Sequence, residues 1–242
     1  MLKRSPLVLV FCLTWPTVVE AQWIISTFTG VNVTTPSTIS IARPDQQTTL
    51  EFVNVHYDAK PFKSPQYYGA RLTWLVGGRG LGIEAEFLHT KVYARVDDPV
   101  QVRGTSAGAP VEATLPMRTF VHRYNHTHGL NFLFVNLVWR RAVGGESSPV
   151  AVAVRAGAGP VRPGRDVVMP DLNVQGYEFA GYGSQAAAGV DVRVVKRLGA
   201  MAEYKFSYAK PKISLPPDGH SRMTATTHHF AFGLTIQMTT NK

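Results

Sequence analysis

One cysteine occurs in the 242 residues, Cys12, and it lies in a stretch that does not look like part of a mature protein. Lys3 and Arg4 precede the apolar run "PLVLVFCLTWPTVV", and "VEA" then sets a small residue before Gln22. A basic start, a short apolar run and a small-residue cleavage site form a secretory signal peptide, expected over residues 1–21. The run is too short and too interrupted by proline for a comfortable membrane-spanning helix. With Cys12 removed, the mature chain has no thiol chemistry, no disulfide and no cysteine metal site. Helix-length amphipathic patterns are also missing, which argues against α/β folds. Acidic residues are few, 16 against 25 Lys and Arg, for a net charge of +9. Such a balance invites an anionic partner. Nucleic acid is not expected, because no nucleic-acid motif occurs and the aromatic residues are not interleaved with the basic ones. An anionic lipid or sugar surface suits the charge better.

What the chain does have is alternation. "QAAAGVDVRVV" sets Gln185, Asp191 and Arg193 on one face and Ala186, Val190, Val192 and Val194 on the other. "MAEYKFSY" sets Glu203, Lys205 and Ser207 against Tyr204, Phe206 and Tyr208, and "HHFAFGLTIQM", "VAVAVRAG" and "YGARLTWLV" repeat the pattern. Period two marks half-buried strands. The polar faces mix Arg71, Arg155, Asp191, Arg193, Glu203 and Lys205 with glycine and alanine. Charges among small residues suit the narrow interior of a closed barrel, with aliphatic and aromatic residues facing lipid. The expected fold is all-β: an antiparallel up-and-down transmembrane β-barrel of about eight strands with long extracellular loops, in the bacterial outer membrane. A soluble sandwich or lipocalin-like barrel is the alternative.

Strands are expected near 47–57, 67–77, 80–94, 128–141, 149–158, 178–194, 200–209 and 225–238. The links alternate: short at 77–79, 142–148 and 196–199, long at 58–66, 95–127, 159–177 and 210–224. Short periplasmic turns and long extracellular loops are the barrel norm. Residues 22–46 are strand-like in "WIISTFTGVNV" but would make a ninth strand, so they are set apart as an N-terminal segment and the barrel is assigned to 47–242.

This topology gathers most of the eight histidines at the extracellular rim. His89 lies high on a rising strand, and His122, His126 and His128 precede the next descent. His126 and His128 share a same-face strand spacing that two metal ligands could use. In "GIEAEFLHTKVYA", Glu84 and Glu86 face inward, while His89 and Lys91 take the lipid-facing parity of Ile83, Ala85 and Phe87 unless a bulge near Leu88 turns them. Outward placement at headgroup height suits an anionic lipid headgroup.

The stretches "KPFKSPQYYGARLTW" (60–74), "EFLHTKVYA" (86–94), "HTHGLNFLFVN" (126–136), "VAVRAGAGPVRP" (152–163) and "AEYKFSY" (202–208) resemble, as an ordered set, the outer-membrane lipid A oxidases of rhizobial type and their relatives. The match spans roughly residues 47–238. It departs at Glu86, where the family more often has aspartate, and in the N-terminal segment, which does not align. The resemblance implies oxygen-dependent oxidation of the proximal glucosamine of lipid A to a 2-aminogluconate unit, with oxygen as co-substrate and hydrogen peroxide as coproduct. On that basis His89 and His128 are candidates for base or metal ligand, Glu86 for orienting a histidine, and Lys91, Arg71, Lys205 and Asn131 for holding phosphate or sugar oxygens. A side chain cannot accept two electrons, so a divalent transition metal on His126 and His128 is the simplest supplement. The partner is lipopolysaccharide of the outer leaflet, and the barrel is expected to be a monomer. Two other readings stand beside this one. A lipid A deacylase or acyltransferase would need a Ser/His pair at the rim, with Ser64 or Ser207 as nucleophile. A non-enzymatic barrel would serve as adhesin or surface protein.

Overall fold

The structure, a computed structural model, describes residues 21–76, 80–145 and 147–239; the expected signal peptide with Cys12 and the expected short link at 77–79 lie outside the described residues. Strand β1 (Ala21–Thr34) leads into a long link that carries β2 (Ser37–Arg43), β3 (Thr48–Val55) and the short β4 (Tyr57–Asp58). The chain returns in β5 (Tyr68–Val76) and rises again in β6 (Leu81–Ala94). A second long link forms the hairpin of β7 (Pro99–Ser106) and β8 (Ala109–Pro116). Then come β9 (Arg123–Ala142), β10 (Val150–Met169), β11 (Leu172–Tyr177), β12 (Tyr182–Val195) and β13 (Leu198–Ala209). The last long link holds β14 (Lys212–Leu215) and β15 (Gly219–Arg222), before β16 (Ala225–Thr239).

Eight of these strands close a ring in the order β1, β5, β6, β9, β10, β12, β13, β16, and β16 pairs back onto β1 over Gln22 to Thr34. Every pairing in the ring is antiparallel. Closure leaves no free edge, which is what lets strands satisfy their backbone in lipid. The outer face is apolar: Ile83, Leu133, Val135, Leu137, Val154, Phe230, Phe232 and Leu234 are all exposed. Aromatic side chains mark both ends of that band. Trp23, Trp74 and Trp139 sit toward the short turns, and Tyr68, Tyr182, Tyr204 and Tyr208 toward the long links. An apolar band flanked by aromatic girdles is the lipid-facing wall of a membrane-spanning barrel.

The expected eight strands are present, but the first is not where the alternation placed it. "WIISTFTGVNV" is β1, a wall strand, whereas the segment 47–57 becomes β3 in a second sheet of order β14, β15, β2, β3, β7, β8 above the barrel mouth. The reason is the sense of the alternation. In β3 the apolar residues Leu50, Phe52 and Val55 are the buried ones, and they pack with Ile39, Ile41 and Val102 into a core over the mouth. In β1 the apolar Ile25, Val31 and Val33 are exposed while Ser26, Asn32 and Thr34 are enclosed. The cap is tied to the β10–β11 turn by Arg43, whose Nη1 donates to Asp171 at 2.7 Å and holds that carboxyl below its ordinary range.

The lipid-facing assignment makes a direct prediction at Val135, 65 % exposed and midway along β9 between Asn131 near the rim and Trp139 near the short turn, opposite Ala85 and Ala158. Val135→Arg is expected to cost about 2–4 kcal/mol in lipid vesicles, the cost of an arginine near the bilayer midplane. Unfolding in urea would measure it, with the cap substitution Glu112→Arg as a control expected near zero. Equal tolerance of both would mean the wall does not face lipid.

Candidate functional site

Strand alternation divides the expected site residues between the two faces of the wall. On the inner face, Arg71, Arg155 and Lys205 interlock with Glu84, Glu86 and Glu203. Arg71 donates two bonds to Glu203, from Nη1 at 3.0 Å and Nη2 at 2.9 Å. Lys205 pairs with Glu86 and Arg155 with Glu203. Thr73 and Asn136 donate to Glu84 at 2.6 and 2.9 Å, and Gln185 donates to Asn136 at 2.9 Å. Three positive and three negative side chains therefore neutralise one another in a space closed to water, with Glu86 and Lys205 both 0 % exposed. Buried charges persist only when paired and hydrogen-bonded in this way. The side chains fill the barrel at this level, which suits a narrow eight-strand interior.

His89 is on the other face. Its strand keeps one register with β5 from Leu81 to His89, and no bulge occurs at Leu88. The irregularity comes later: Thr90 pairs Leu130, but Val92 pairs His126, so the extra residues belong to β9 around Gly129. His89 thus stays on the lipid side with Phe87, and Lys91 follows it, its Nζ donating to the carbonyl of Lys63 at 2.8 Å. Glu86, Arg71 and Lys205, expected beside His89, are separated from it by the wall, because an odd step along a strand reverses the face.

Around His89 the upper wall forms a cleft of about 600 Å³, lined by Tyr68, Phe87, Leu133, Pro160, Arg162 and Phe179 among others. The imidazole stacks on Tyr68 with ring centres 4.9 Å apart and planes 19° apart. Its Nδ1 lies 2.7 Å from Asn131 Oδ1. Asn131, directly opposite His89 in the ladder, is the one expected site residue that the structure places in contact with it. Arg162 lies over the Tyr177 ring, its guanidinium carbon 5.9 Å from the ring centre. Tyr68, Arg162 and Phe179 had no role in the sequence reading. Arg162 had a signal, since it shares the outward parity of Val154 and Pro160, but "GAGPVRPG" reads as loop. The aromatic pair at 177–179 has no such signal.

The metal pair does not form a centre. His126 is enclosed and packed edge-on against Tyr124, with neither ring nitrogen partnered among the described residues, whereas His128 is exposed beside Tyr177. The bulge at Gly129 disturbs the spacing that would have aligned them. Among the described residues no group of three or more His, Cys, Asp or Glu side chains converges. This donor set does not fit a transition-metal site, which takes three or four such ligands. A Ser/His pair does exist, Ser207 Oγ lying 2.8 Å from His229 Nε2. Both residues are buried inside the barrel, level with the rim residue Tyr208 but on the opposite face of the strand from lipid.

No family model matches the chain, and no curated protein matches it. Solved barrels do resemble it in outline. Neisserial surface protein A is 10 % identical over 89 % of this chain and 97 % of its own, with a TM-score of 0.42. The N-terminal β-barrel domain of Pseudomonas aeruginosa OprF is 9 % identical over 90 % and 98 %, with a TM-score of 0.42. The outer membrane protein AlkL is 10 % identical over 100 % and 99 %, with a TM-score of 0.45. Likeness at this level carries no weight for function, and the fold stands on the chain's own closed pairing. That pairing, with short turns at the end holding both strand termini and long links at the other, defines an eight-stranded β-barrel of the bacterial outer-membrane type.

Proposed function

We propose that this barrel is a lipid A-modifying enzyme of the outer leaflet, and that it oxidises the proximal glucosamine of lipid A to 2-aminogluconate as the sequence resemblance implies. One observation carries the reading: His89 is held on the lipid side of the wall at the extracellular rim, in a cleft that combines apolar surface with Arg162 and Asn131. That is the height and side at which lipid A presents its sugars to a barrel. Acyl chains would lie along Phe87, Leu133 and Phe179, and Arg162 would meet an anionic headgroup oxygen. His89 would take the proton of the anomeric hydroxyl. Loss of that proton and of the C1 hydrogen with its electron pair gives a lactone, oxygen becomes hydrogen peroxide, and water opens the lactone to the acid. The sugar gains one oxygen atom in total. Glu86, Arg71 and Lys205 serve the wall from within and take no part.

The test incubates the folded barrel in air with lipid A lacking its proximal phosphate and follows product mass and peroxide. Wild type should add one oxygen, and His89→Ala should slow this by about 10²–10⁴-fold, the usual contribution of a general base. Loss of an acyl chain instead would identify a deacylase. No change in a barrel shown to be folded would favour a non-enzymatic surface protein, a reading to which the broad six-stranded cap sheet lends itself. Lipopolysaccharide as partner and a monomeric state belong to the same proposal.

A further inference from the structure

Asn131 reaches several polar groups, and together they fix which way its amide faces. Nδ2 lies 3.2 Å from the carbonyl of His128, 3.4 Å from that of Gly129 and 3.1 Å from that of Arg162. Those three oxygens can only accept, so the amide nitrogen must face them and the oxygen must face His89. The reverse setting would put Oδ1 against three carbonyl oxygens. An amide oxygen donates nothing, so His89 Nδ1, 2.7 Å away, must carry the hydrogen. In the neutral ring this leaves Nε2 as a bare acceptor. Free histidine in water prefers the opposite tautomer. Among the described residues His89 Nε2 has no partner; the atom is closed to water and the residue only 4 % exposed, while its ring lines the outer cleft. A buried acceptor left unpaired is costly, and in a cleft it marks where a ligand atom belongs.

We infer that Asn131 is a positioning residue that holds His89 in the Nδ1–H form, and that His89 Nε2 receives a hydroxyl hydrogen from a polyol headgroup seated in the outer cleft. The inference deepens the lipid A reading but rests on it only for the identity of that headgroup. It also sets a chemical requirement. A phosphodiester, an ester carbonyl or a quaternary amine brings no hydrogen to Nε2, whereas a sugar hydroxyl does.

Nitrogen NMR reads the tautomer directly. Histidine-labelled barrel would be folded in dodecylphosphocholine, which has no hydroxyl, and the ring nitrogens of His89 recorded at about pH 8, above the ordinary histidine range. The His89→Ala spectrum assigns the signals. Wild type should show Nδ1 as the protonated nitrogen and Nε2 as the lone-pair nitrogen; a protonated Nε2 overturns the inference. Asn131→Leu should lose the preference, and Asn131→Asp should keep it, since a carboxylate still accepts from Nδ1. A merely structural role predicts the reverse, because aspartate would press an oxygen against three carbonyls. Dodecyl maltoside added as the polyol probe should move the Nε2 signal toward the hydrogen-bonded range, and no movement overturns the ligand half. None of these readouts needs turnover. A correct tautomer in a barrel that leaves lipid A unchanged would retire the oxidase reading and leave the polyol site standing.

Discussion

Glu203→Gln is expected to destabilise the barrel by about 3–5 kcal/mol, the usual cost of removing one partner from a buried ion network. Glu203 takes two hydrogen bonds from Arg71, pairs with Arg155 and lies 3.6 Å from Lys205. Neutralising it leaves three cations facing the two carboxylates of Glu84 and Glu86, all enclosed by the wall. The amide can still accept hydrogen bonds, so the loss is one of charge rather than shape. The same reasoning predicts rescue. Adding Arg155→Leu removes the surplus cation and should recover much of the loss, since a buried pair replaced by apolar side chains is often close to neutral in stability. Urea unfolding in lipid vesicles measures each variant. A loss below about 1 kcal/mol, the worth of an exposed pair, would mean that water reaches the network. The folded fraction of Glu203→Gln should keep its activity on lipid A, because the network and His89 occupy opposite faces of the wall. Equal loss of activity and stability would instead bring the interior carboxylates back as participants in the chemistry.

The same parity rule explains how far the sequence could be read. Alternation alone put Glu84 and Glu86 inside and His89 outside, and the structure keeps that register from Leu81 to His89. The charged faces of 71, 155, 203 and 205 were legible as an interior because they mixed charge with small residues. What alternation cannot reveal is its own sense. Residues 47–57 and 21–34 both alternate, yet one buries its apolar face beneath the cap and the other exposes it to lipid. Only the partner strands decide which. Strand length was hidden for a different reason. β10 runs to Met169 through Pro160 and Pro163, and its ladder with β9 shifts between Pro163 and Asp166, so a segment rich in glycine and proline still pairs. Prolines are tolerated where a ladder is irregular. Ending that strand at 158 removed Arg162 from the wall, and with it the basic side of the cleft. Pairings across many residues, such as Asn131 with both His89 and Arg162, belong to the closed ring and have no local mark.

The second large effect is expected at Gly129, where His89 owes its place to an absent side chain. Gly129 has φ +90°, in the left-handed region that side chains rarely adopt, and it sits in the irregular stretch where β9 departs from register with β6. A methyl group built there would lie 2.3 Å from both Cε1 and Nδ1 of His89 and 2.7 Å from Asn131 Oδ1. Neither neighbour can move freely. The imidazole is stacked on Tyr68, and the Asn131 amide is held by carbonyls on two strands. Gly129→Ala should therefore cost about 1–3 kcal/mol in backbone strain and also break the His89–Asn131 bond. Activity on lipid A should fall to the level of His89→Ala, and the His89 nitrogens should lose their Nδ1–H preference although both His89 and Asn131 remain present. A control at Gly144, which has φ +88° but, among the described residues, no atom within 4 Å of the added methyl, separates the two causes. Gly144→Ala should share the strain and leave the cleft untouched. If Gly129→Ala keeps full activity and the His89 signals of wild type, the contact among Gly129, His89 and Asn131 is not what holds the base, and the rim cleft loses its claim to be the site.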